Sequence, residues 1–426
     1  VVIYAVDNTG YHDRYPANPG DESFGGHLET YTYHFTIGES VYVNTLAQDS
    51  KNRALSGANV VVKTSTGLVV YSVYTNATGR NNLTLTSGTY IFQVFWEDVR
   101  VYDQSISITK NWTYDAPLYL NCTVYDAVLL VVDALNSPME AASLYITHPN
   151  GTMNLVAYKT NESGQYPMFL IPGGNFTVKV LWRDVVVNNT VLYINDNAQY
   201  IINCSVYQLT IHAMDSIGVG LNGAQVVITN VTSGMVFDSQ ITNATGNITS
   251  QLPVGNYSIE IYWQETQVYY DDGYMLVGNS IYNAMCAVYY LNITAIDTRG
   301  EAVIGAQVVI LTPQGSVLDS QVTDSEGNVS TRLPAGSLKL RIYWQDVLVN
   351  ATDNLIITGN TPIVAECSIY YLEITALDSH DTSPQPLSHA AVVINRHGES
   401  FVFASAECDA QGWTEVKLPN GTYDIY

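Results

Sequence analysis

The chain has 426 residues, 47% of them hydrophobic, which is ample for several cores; only 13% are charged, yet the net charge is −23. That balance argues against a nucleic-acid binder, because no basic patch is available to neutralise phosphates, and against docking on an anionic membrane surface. No apolar run is long enough to span a bilayer, and the chain starts abruptly on a strand at Val1, as a processed secreted protein or an excised fragment would.

Residues 1–38 do not complete a repeat. Their opening run, Ile3 to Gly10, resembles Ile293 to Gly300 further along: an apolar strand, an aspartate and a turn glycine. This spare strand, Val1–Asp7, is a candidate donor to another subunit. His12, Asp13, Asp21, Glu22 and His27 crowd the stretch that follows and read as a solvated polar loop rather than a metal site.

From residue 39 onward the chain repeats, which is the first thing to look for in a sequence. Cys122, Cys204, Cys286 and Cys367 are 82, 82 and 81 residues apart, and each opens a Cys-x-Val/Ile-Tyr motif. Trp96, Trp182, Trp263 and Trp344 keep nearly the same phase, as do Gly79, Gly164, Gly246, Gly327 and Gly412. The segments are 39–121, 122–203, 204–285, 286–366 and an incomplete 367–426, which stops before its Trp hairpin. An unfinished sandwich exposes core and an open edge, so either the chain continues or another subunit supplies the missing strand.

Each segment reads as β. Leu291, Ile293 and Ala295 alternate with Asn292, Thr294 and Ile296, a mostly period-two pattern. Val, Ile, Thr and Tyr fill such runs, and Gly, Pro, Asn and Asp punctuate them at sandwich-like spacing. Trp182 to Val185 and Trp344 to Val347 read as tight hairpins. Around Cys367, the residues Cys367, Ile369 and Tyr371 share one parity and Leu372, Ile374 and Ala376 the other. The first set finishes one core and the second starts the next. The expected fold is all-β: tandem Ig-like or prealbumin-like β-sandwich repeats forming an elongated, stiff rod.

Half of the 34 asparagines lie in Asn-x-Ser/Thr sequons: Asn76, Asn82, Asn111, Asn121, Asn150, Asn161, Asn175, Asn188, Asn203, Asn230, Asn243, Asn247, Asn256, Asn292, Asn328, Asn350 and Asn420. The excess points to a secreted chain carrying N-linked glycans. Asn121 and Asn203 adjoin Cys122 and Cys204, so a glycan pointing outward turns the cysteine inward. The phased cysteines therefore read as small buried hydrophobes at the joints, with interchain bridges as the other reading. Cys408 is out of phase and shares a segment with Cys367; that pair is a candidate disulfide. The 32 tyrosines suit sheet edges, cores and partly wet contact surfaces.

No catalytic constellation stands out. The eight histidines are scattered, and neither a His-x-x-x-His pair, a Cys-x-x-Cys pair nor a nucleophile elbow is present. Asp271 and Asp272 near Tyr274 offer weak Ca²⁺ ligation without a ligand ladder. No cofactor is implied.

The run Gly305-Ala306, Thr323-Asp324 to Gly327 and Leu333-Pro334 to Gly336 resembles the carboxypeptidase-regulatory-like and Cna-B-like β-sandwich superfamily. Gly223-Ala224, Thr242-Asn243, Gly246 and Leu252-Pro253 to Gly255 carry the same pattern. The resemblance implies seven-stranded, prealbumin-like sandwiches used as stalks and spacers. Cna-B stalks often carry a Lys–Asn isopeptide bond, but no lysine recurs in phase here. The mix of sequons, few charges and Tyr, Thr and Val resembles archaeal cell-surface filaments, threads and S-layers. The function expected is an extracellular structural, non-enzymatic protein, a glycosylated rod that self-assembles into a homopolymeric surface filament or lattice, with donor-strand complementation as one route. Alternatives are an adhesin or carbohydrate-binding stalk, or the accessory region of a larger secreted enzyme.

Overall fold

The computed structural model describes residues 39–378, 380 and 383–426. Every element assigned in it is a β-strand. The first set is β1 (Ser40–Gln48), β2 (Asn59–Thr64), β3 (Val69–Tyr74), β4 (Arg80–Thr86), β5 (Gly88–Trp96), β6 (Val99–Ile108) and β7 (Leu118–Asn121). The second is β8 (Val124–Val132), β9 (Ser143–Thr147), β10 (Tyr158–Lys159), β11 (Gln165–Pro172), β12 (Gly174–Trp182), β13 (Val185–Ile194) and β14 (Gln199–Asn203). The third is β15 (Val206–Met214), β16 (Gln225–Asn230), β17 (Val236–Ile241), β18 (Asn247–Pro253), β19 (Gly255–Trp263), β20 (Thr266–Leu276) and β21 (Ser280–Met285). The fourth is β22 (Val288–Ile296), β23 (Gln307–Leu311), β24 (Val317–Val322), β25 (Asn328–Pro334), β26 (Gly336–Trp344), β27 (Val347–Ile357) and β28 (Thr361–Glu366). The fifth is β29 (Ile369–Thr375), β30 (Leu377–Asp378), β31 (Gln385–Pro386), β32 (Ala391–Arg396), β33 (Ala404–Glu407), β34 (Trp413–Pro419) and β35 (Tyr423–Ile425).

Each of the first four sets makes two sheets. Three strands form one (β4-β1-β7, β11-β8-β14, β18-β15-β21, β25-β22-β28) and four the other (β3-β2-β5-β6, β10-β9-β12-β13, β17-β16-β19-β20, β24-β23-β26-β27). The opening strand of each set lies between an antiparallel neighbour and a parallel one. In the fifth set, β29 pairs with β34 and β33-β32-β35 form the second sheet. The protein is an all-β tandem array of β-sandwiches. No helix among the described residues is long and apolar enough to cross a membrane.

Contacts divide the chain into two compact units. The first holds the residues up to Gln48, Arg53–Phe95 and Tyr102–Asn121; Val60, Val62, Phe92, Val94 and Leu120 are fully buried in it. The second holds Asp49–Asn52, Trp96–Val101 and Cys122–Tyr426 and contains four cores. Cys204 and Val206 belong to the second sandwich's core, whereas Leu209, Ile211 and Ala213, on the same strand, start the third. Cys286 and Val288 divide from Leu291, Ile293 and Ala295 in the same way. Cys367 and Ile369 complete the fourth core, and Leu372, Ile374 and Ala376 face the fifth. One strand thus serves two sandwiches, because the pleat sends alternate residues to opposite sides, as the parity around Cys367 indicates.

Two local devices explain the sequence landmarks. In the Thr-Asn/Asp-x-x-Gly turn, the Thr242 hydroxyl donates to Leu221 O and accepts from the Ala224 N–H. Asn243 Oδ1 accepts the N–H groups of Thr245 and Asn247, both at 3.0 Å. Gly246 closes the turn at φ +78°, and a Cβ there would lie 2.4 Å from Ala213 O. The position thus needs glycine for both conformation and space. The second device is the Trp hairpin. Gln345 and Asp346 have φ of +48° and +59°, and Arg183 and Asp184 of +48° and +62°. Positive φ at both central residues is the primed turn that matches strand twist, here built without the favoured Asn-Gly.

Candidate functional site: the joints and an open sheet edge

The joints between the second, third, fourth and fifth sandwiches repeat one set of backbone hydrogen bonds. The residue after each phased cysteine donates back: Ser205 N–H to Val187 O at 2.9 Å, Ala287 to Val268 and Ser368 to Val349 at 2.8 Å. The same residue's carbonyl accepts from Val254, Ala335 and Asn420 respectively, each at 2.8 Å. The turn ending each opening strand reaches forward, with Ala134 N–H on Val206 O at 3.1 Å, Ser216 on Val288 at 3.0 Å and Thr298 on Ile369 at 3.3 Å.

A buried aspartate sits at the centre of each joint. Asp133, Asp215 and Asp297 follow or end the opening strands β8, β15 and β22, and almost none of their surface is exposed. One carboxylate oxygen caps its own turn: Asp215 Oδ1 accepts from Ile217 at 3.1 Å and Val219 at 2.9 Å, and Asp297 Oδ1 from Arg299 at 2.9 Å and Glu301 at 3.0 Å. The other oxygen faces the next sandwich, and there the partner differs. Gln251 Nε2 donates to Asp133 Oδ2. Arg332 Nη1 lies 3.2 Å from Asp215 Oδ2. Lys417 Nζ and the Tyr371 hydroxyl both donate to Asp297 Oδ2 at 2.6 Å. A buried carboxylate must be hydrogen-bonded on all sides to be tolerated, and these are. Burial pushes the Asp297 carboxyl up, but the bonds from Lys417, Tyr371 and the two backbone N–H groups outweigh it and hold it at about 2.

Two of the four phased tryptophans, Trp263 and Trp344, belong to the same device. Arg332 lies 5.7 Å from the Trp263 ring centroid and Lys417 6.0 Å from that of Trp344, within reach of the ring quadrupole. At the last joint Arg299 also clamps Glu415 through two bonds of 3.0 and 2.6 Å and lies 3.7 Å over the Tyr371 ring. Sequence reading did not single out these aspartates. Their signal was present: Asp133, Asp215 and Asp297 recur at 82 residues, one at the end of each opening strand.

The fifth sandwich presents the same inward residues in a different state. Leu209, Ile211 and Ala213 are fully buried between β18 and β21, and Leu291, Ile293 and Ala295 between β25 and β28. Their counterparts Leu372, Ile374 and Ala376 are only half-buried, and among the described residues β29 pairs with β34 alone. Asp378, next in the aspartate series, is exposed and accepts the N–H of His380 at 2.9 Å.

The sequon asparagines fall into three groups. Asn76, Asn82, Asn111, Asn121, Asn150, Asn161, Asn175, Asn203, Asn243, Asn292 and Asn420 are exposed. Asn188, Asn247, Asn256, Asn328 and Asn350 are half-buried, and Asn230 is buried. In Asn188 and Asn350 the amide nitrogen is already used, donating to Asn203 O at 2.6 Å and Glu366 O at 2.8 Å. Asn76, Asn161 and Asn243 accept turn N–H groups. Asp324 and Asp409 do the same in the last two sandwiches, so an acceptor oxygen alone accounts for those three asparagines structurally.

All five cysteines are buried free thiols; Cys367 and Cys408, the candidate disulfide, are not joined in this structure. Burial pushes Cys204 and Cys286 up to about 12 and Cys367 to about 11. Asp271 accepts from the Tyr282 hydroxyl and from Gly273 N–H, and Asp272 is exposed; among the described residues no three His, Cys, Asp or Glu gather as metal ligands. Val1–Asp7 and the His12, Asp13, Asp21, Glu22 and His27 stretch lie outside the described residues.

No protein-family model and no curated protein matches the chain. Solved structures similar to parts of it include the TIE protein of Bacillus anthracis, 13% identical over 78% of this chain and 76% of that one, with a TM-score of 0.20. A streptococcal ancillary pilin is 13% identical over 58% and 99%, with a TM-score of 0.22. BcpA, the major pilin subunit of Bacillus cereus, is 10% identical over 78% and 100%, with a TM-score of 0.19. At such scores the likenesses decide nothing about this chain's function.

Proposed function

We propose that the protein is an extracellular structural subunit, a glycosylated series of β-sandwiches whose copies join into a cell-surface filament or lattice. The observation that carries this reading is the repeated joint, in which buried Asp133, Asp215 and Asp297 tie one sandwich to the next through Gln251, Arg332 and Lys417. The stereotyped joints favour a structural role, since each spends buried polar bonds on fixing one sandwich against the next. The excess of sequons, most of them exposed, supports secretion and N-linked glycans.

The test is electron microscopy and light scattering of the purified full chain over a range of concentrations. Filaments that lengthen with concentration are expected. Monodisperse monomers at every concentration, from protein whose N-terminus is intact, overturn the reading.

A further inference from the structure

The first sandwich departs from the third at one strand, and the departure builds a groove. In the third, Ser280 and Tyr282 lie opposite Leu209 and Ile211 in regular parallel register. In the first, Trp112 bridges Val43 in parallel while Leu118 lies opposite Thr45. Six residues of chain (118−112) therefore run beside two (45−43). A pleated ladder cannot absorb the surplus, so residues 113–117 leave it. They are drawn back over the outer face of β4 and β1. Arg80 Nη1 donates to Tyr114 O at 2.9 Å and to Asn44 Oδ1 at 2.7 Å, and its guanidinium lies 4.1 Å from the Tyr114 ring centroid. All of these residues belong to the first compact unit.

The groove holds about 390 Å³, within the range of about 300–1,000 Å³ usual for small-molecule sites. Three aromatic rings line it, Tyr42, Trp112 and Tyr114, with three amides, Asn44, Asn82 and Asn111. Among the described residues no charged side chain lines it. Tyr42 is 67% exposed and Tyr114 64%, so much of this aromatic surface is uncovered. The amides are held in fixed orientations. Asn44 is buried; it accepts from Arg80 and donates through Nδ2 to Asn82 Oδ1 at 2.6 Å. The Tyr42 N–H donates to Asn111 Oδ1 at 2.9 Å. Asn82 and Asn111 thus use their oxygens, and their amide nitrogens have no partner among the described residues. Trp112 Nε1 is buried with no acceptor among them either, a donor of the kind that a site keeps for its ligand.

We infer that this groove seats carbohydrate, namely the sugar chain borne on Asn82 or Asn111 of the same molecule. A sugar ring offers an apolar face of C–H groups to an aromatic ring, and hydroxyls around its rim to amides. A lining of tyrosine, tryptophan and asparagine matches both. A phosphate or a metal ion would call for charged partners that this lining does not contain. The occupant is also attached at the site. Asn82 with Thr84, and Asn111 with Thr113, are sequons. An N-glycan is joined through the amide nitrogen, which both residues hold unbonded, while each oxygen keeps its present hydrogen bond. The inference rests on the glycosylated reading and deepens it: a sugar laid on Tyr42 and Tyr114 covers the aromatic surface that the excursion of residues 113–117 leaves open.

Mild periodate oxidation of sugar diols, read site by site by glycopeptide mass spectrometry, tests this on the folded full chain from its native surface. Tyr42→Ala and Tyr114→Ala, made in the same host, are treated alike; both side chains are exposed, so both variants fold. Sugar at Asn82 or Asn111 is expected to oxidise about fivefold more slowly than sugar at exposed sites such as Asn121 and Asn292, the scale of one aromatic contact. The rates are expected to converge in either variant and after unfolding. Equal rates in the folded wild type overturn the seat and leave the glycosylated reading standing, as does protection that survives both variants. Sugar at the other exposed sites with Asn82 and Asn111 bare overturns the chain's own glycan as the occupant. A chain bare at every sequon fails the glycosylated reading itself, and this inference with it.

Discussion

Lys417 Nζ stands 2.6 Å from Asp297 Oδ2, joining a strand of the fifth sandwich to the turn that ends the first strand of the fourth. The carboxylate side chain is wholly buried and the lysine keeps 27% of its side-chain surface. Replacing Lys417 by Met leaves Asp297 with Tyr371 as its cross-joint donor. Because the lysine is partly solvated, the expected loss is about 1–3 kcal/mol, below that of a fully buried pair. Denaturant unfolding followed by near-ultraviolet circular dichroism measures it, and an unchanged midpoint would show that the pair is structurally idle.

The same pair sets an acid limit. Asp297 is depressed to about 2 from an ordinary 3.8, so its contribution is complete above about 4 and is lost as pH falls through about 2. Lys417 is raised above its ordinary value of 10.5, so its contribution is complete below that value and is lost only in stronger alkali. Stability against urea is expected to fall between pH 4 and 2, and Asp297→Asn is expected to flatten part of that slope. A wild-type and variant difference that stays constant across the window contradicts the assignment.

Gln251 meets Asp133 where lysine meets Asp297. Gln251→Lys replaces a neutral donor by a charged one in the same role. Gln251 is exposed overall, so screening limits the gain to about 0.5 kcal/mol. The expected outcome is a small rise in the midpoint that disappears in the Asp133→Asn background, read from a double-mutant cycle.

Gly246 tests the turn. Alanine there would have to keep a φ of +78° and place its Cβ 2.4 Å from Ala213 O. The expected cost is about 2–4 kcal/mol, combining left-handed backbone strain with overpacking. Gly218 also has positive φ, but an added Cβ meets nothing within 4 Å, so Gly218→Ala is expected to cost less than Gly246→Ala in the same unfolding assay.

The repeat, the strand content and the sharing of one strand between two cores were legible because side-chain parity is written directly in the sequence. Cys367 and Ile369 against Leu372 and Ile374 could be sorted by counting in twos. The aspartate joints were not, since Gln251, Arg332 and Lys417 share a position but not a chemistry, and each lies more than 110 residues from the aspartate it meets. Only packing brings them together. The sequons carry two signals at once, because a turn that asks only for an Asx oxygen selects Asn243 in one sandwich and Asp324 in the next.

Glycan occupancy is therefore expected to follow the amide nitrogen rather than the motif. An N-glycan is attached through that nitrogen, so the residue must present it to solvent. Asn82, Asn121, Asn203 and Asn292 are exposed on strands and are expected to carry glycans. Asn230 is buried, and Asn188 and Asn350 commit their amide nitrogens to Asn203 O and Glu366 O. Glycans there would break those bonds, with a further cost from the buried Oδ1 atoms of Asn188 and Asn350. Glycopeptide mass spectrometry of protein from its native surface should find these three unmodified. Full occupancy at Asn188 and Asn350 would mean that modification precedes folding and that the sheet edges near Cys204 and Cys367 rearrange to accommodate it.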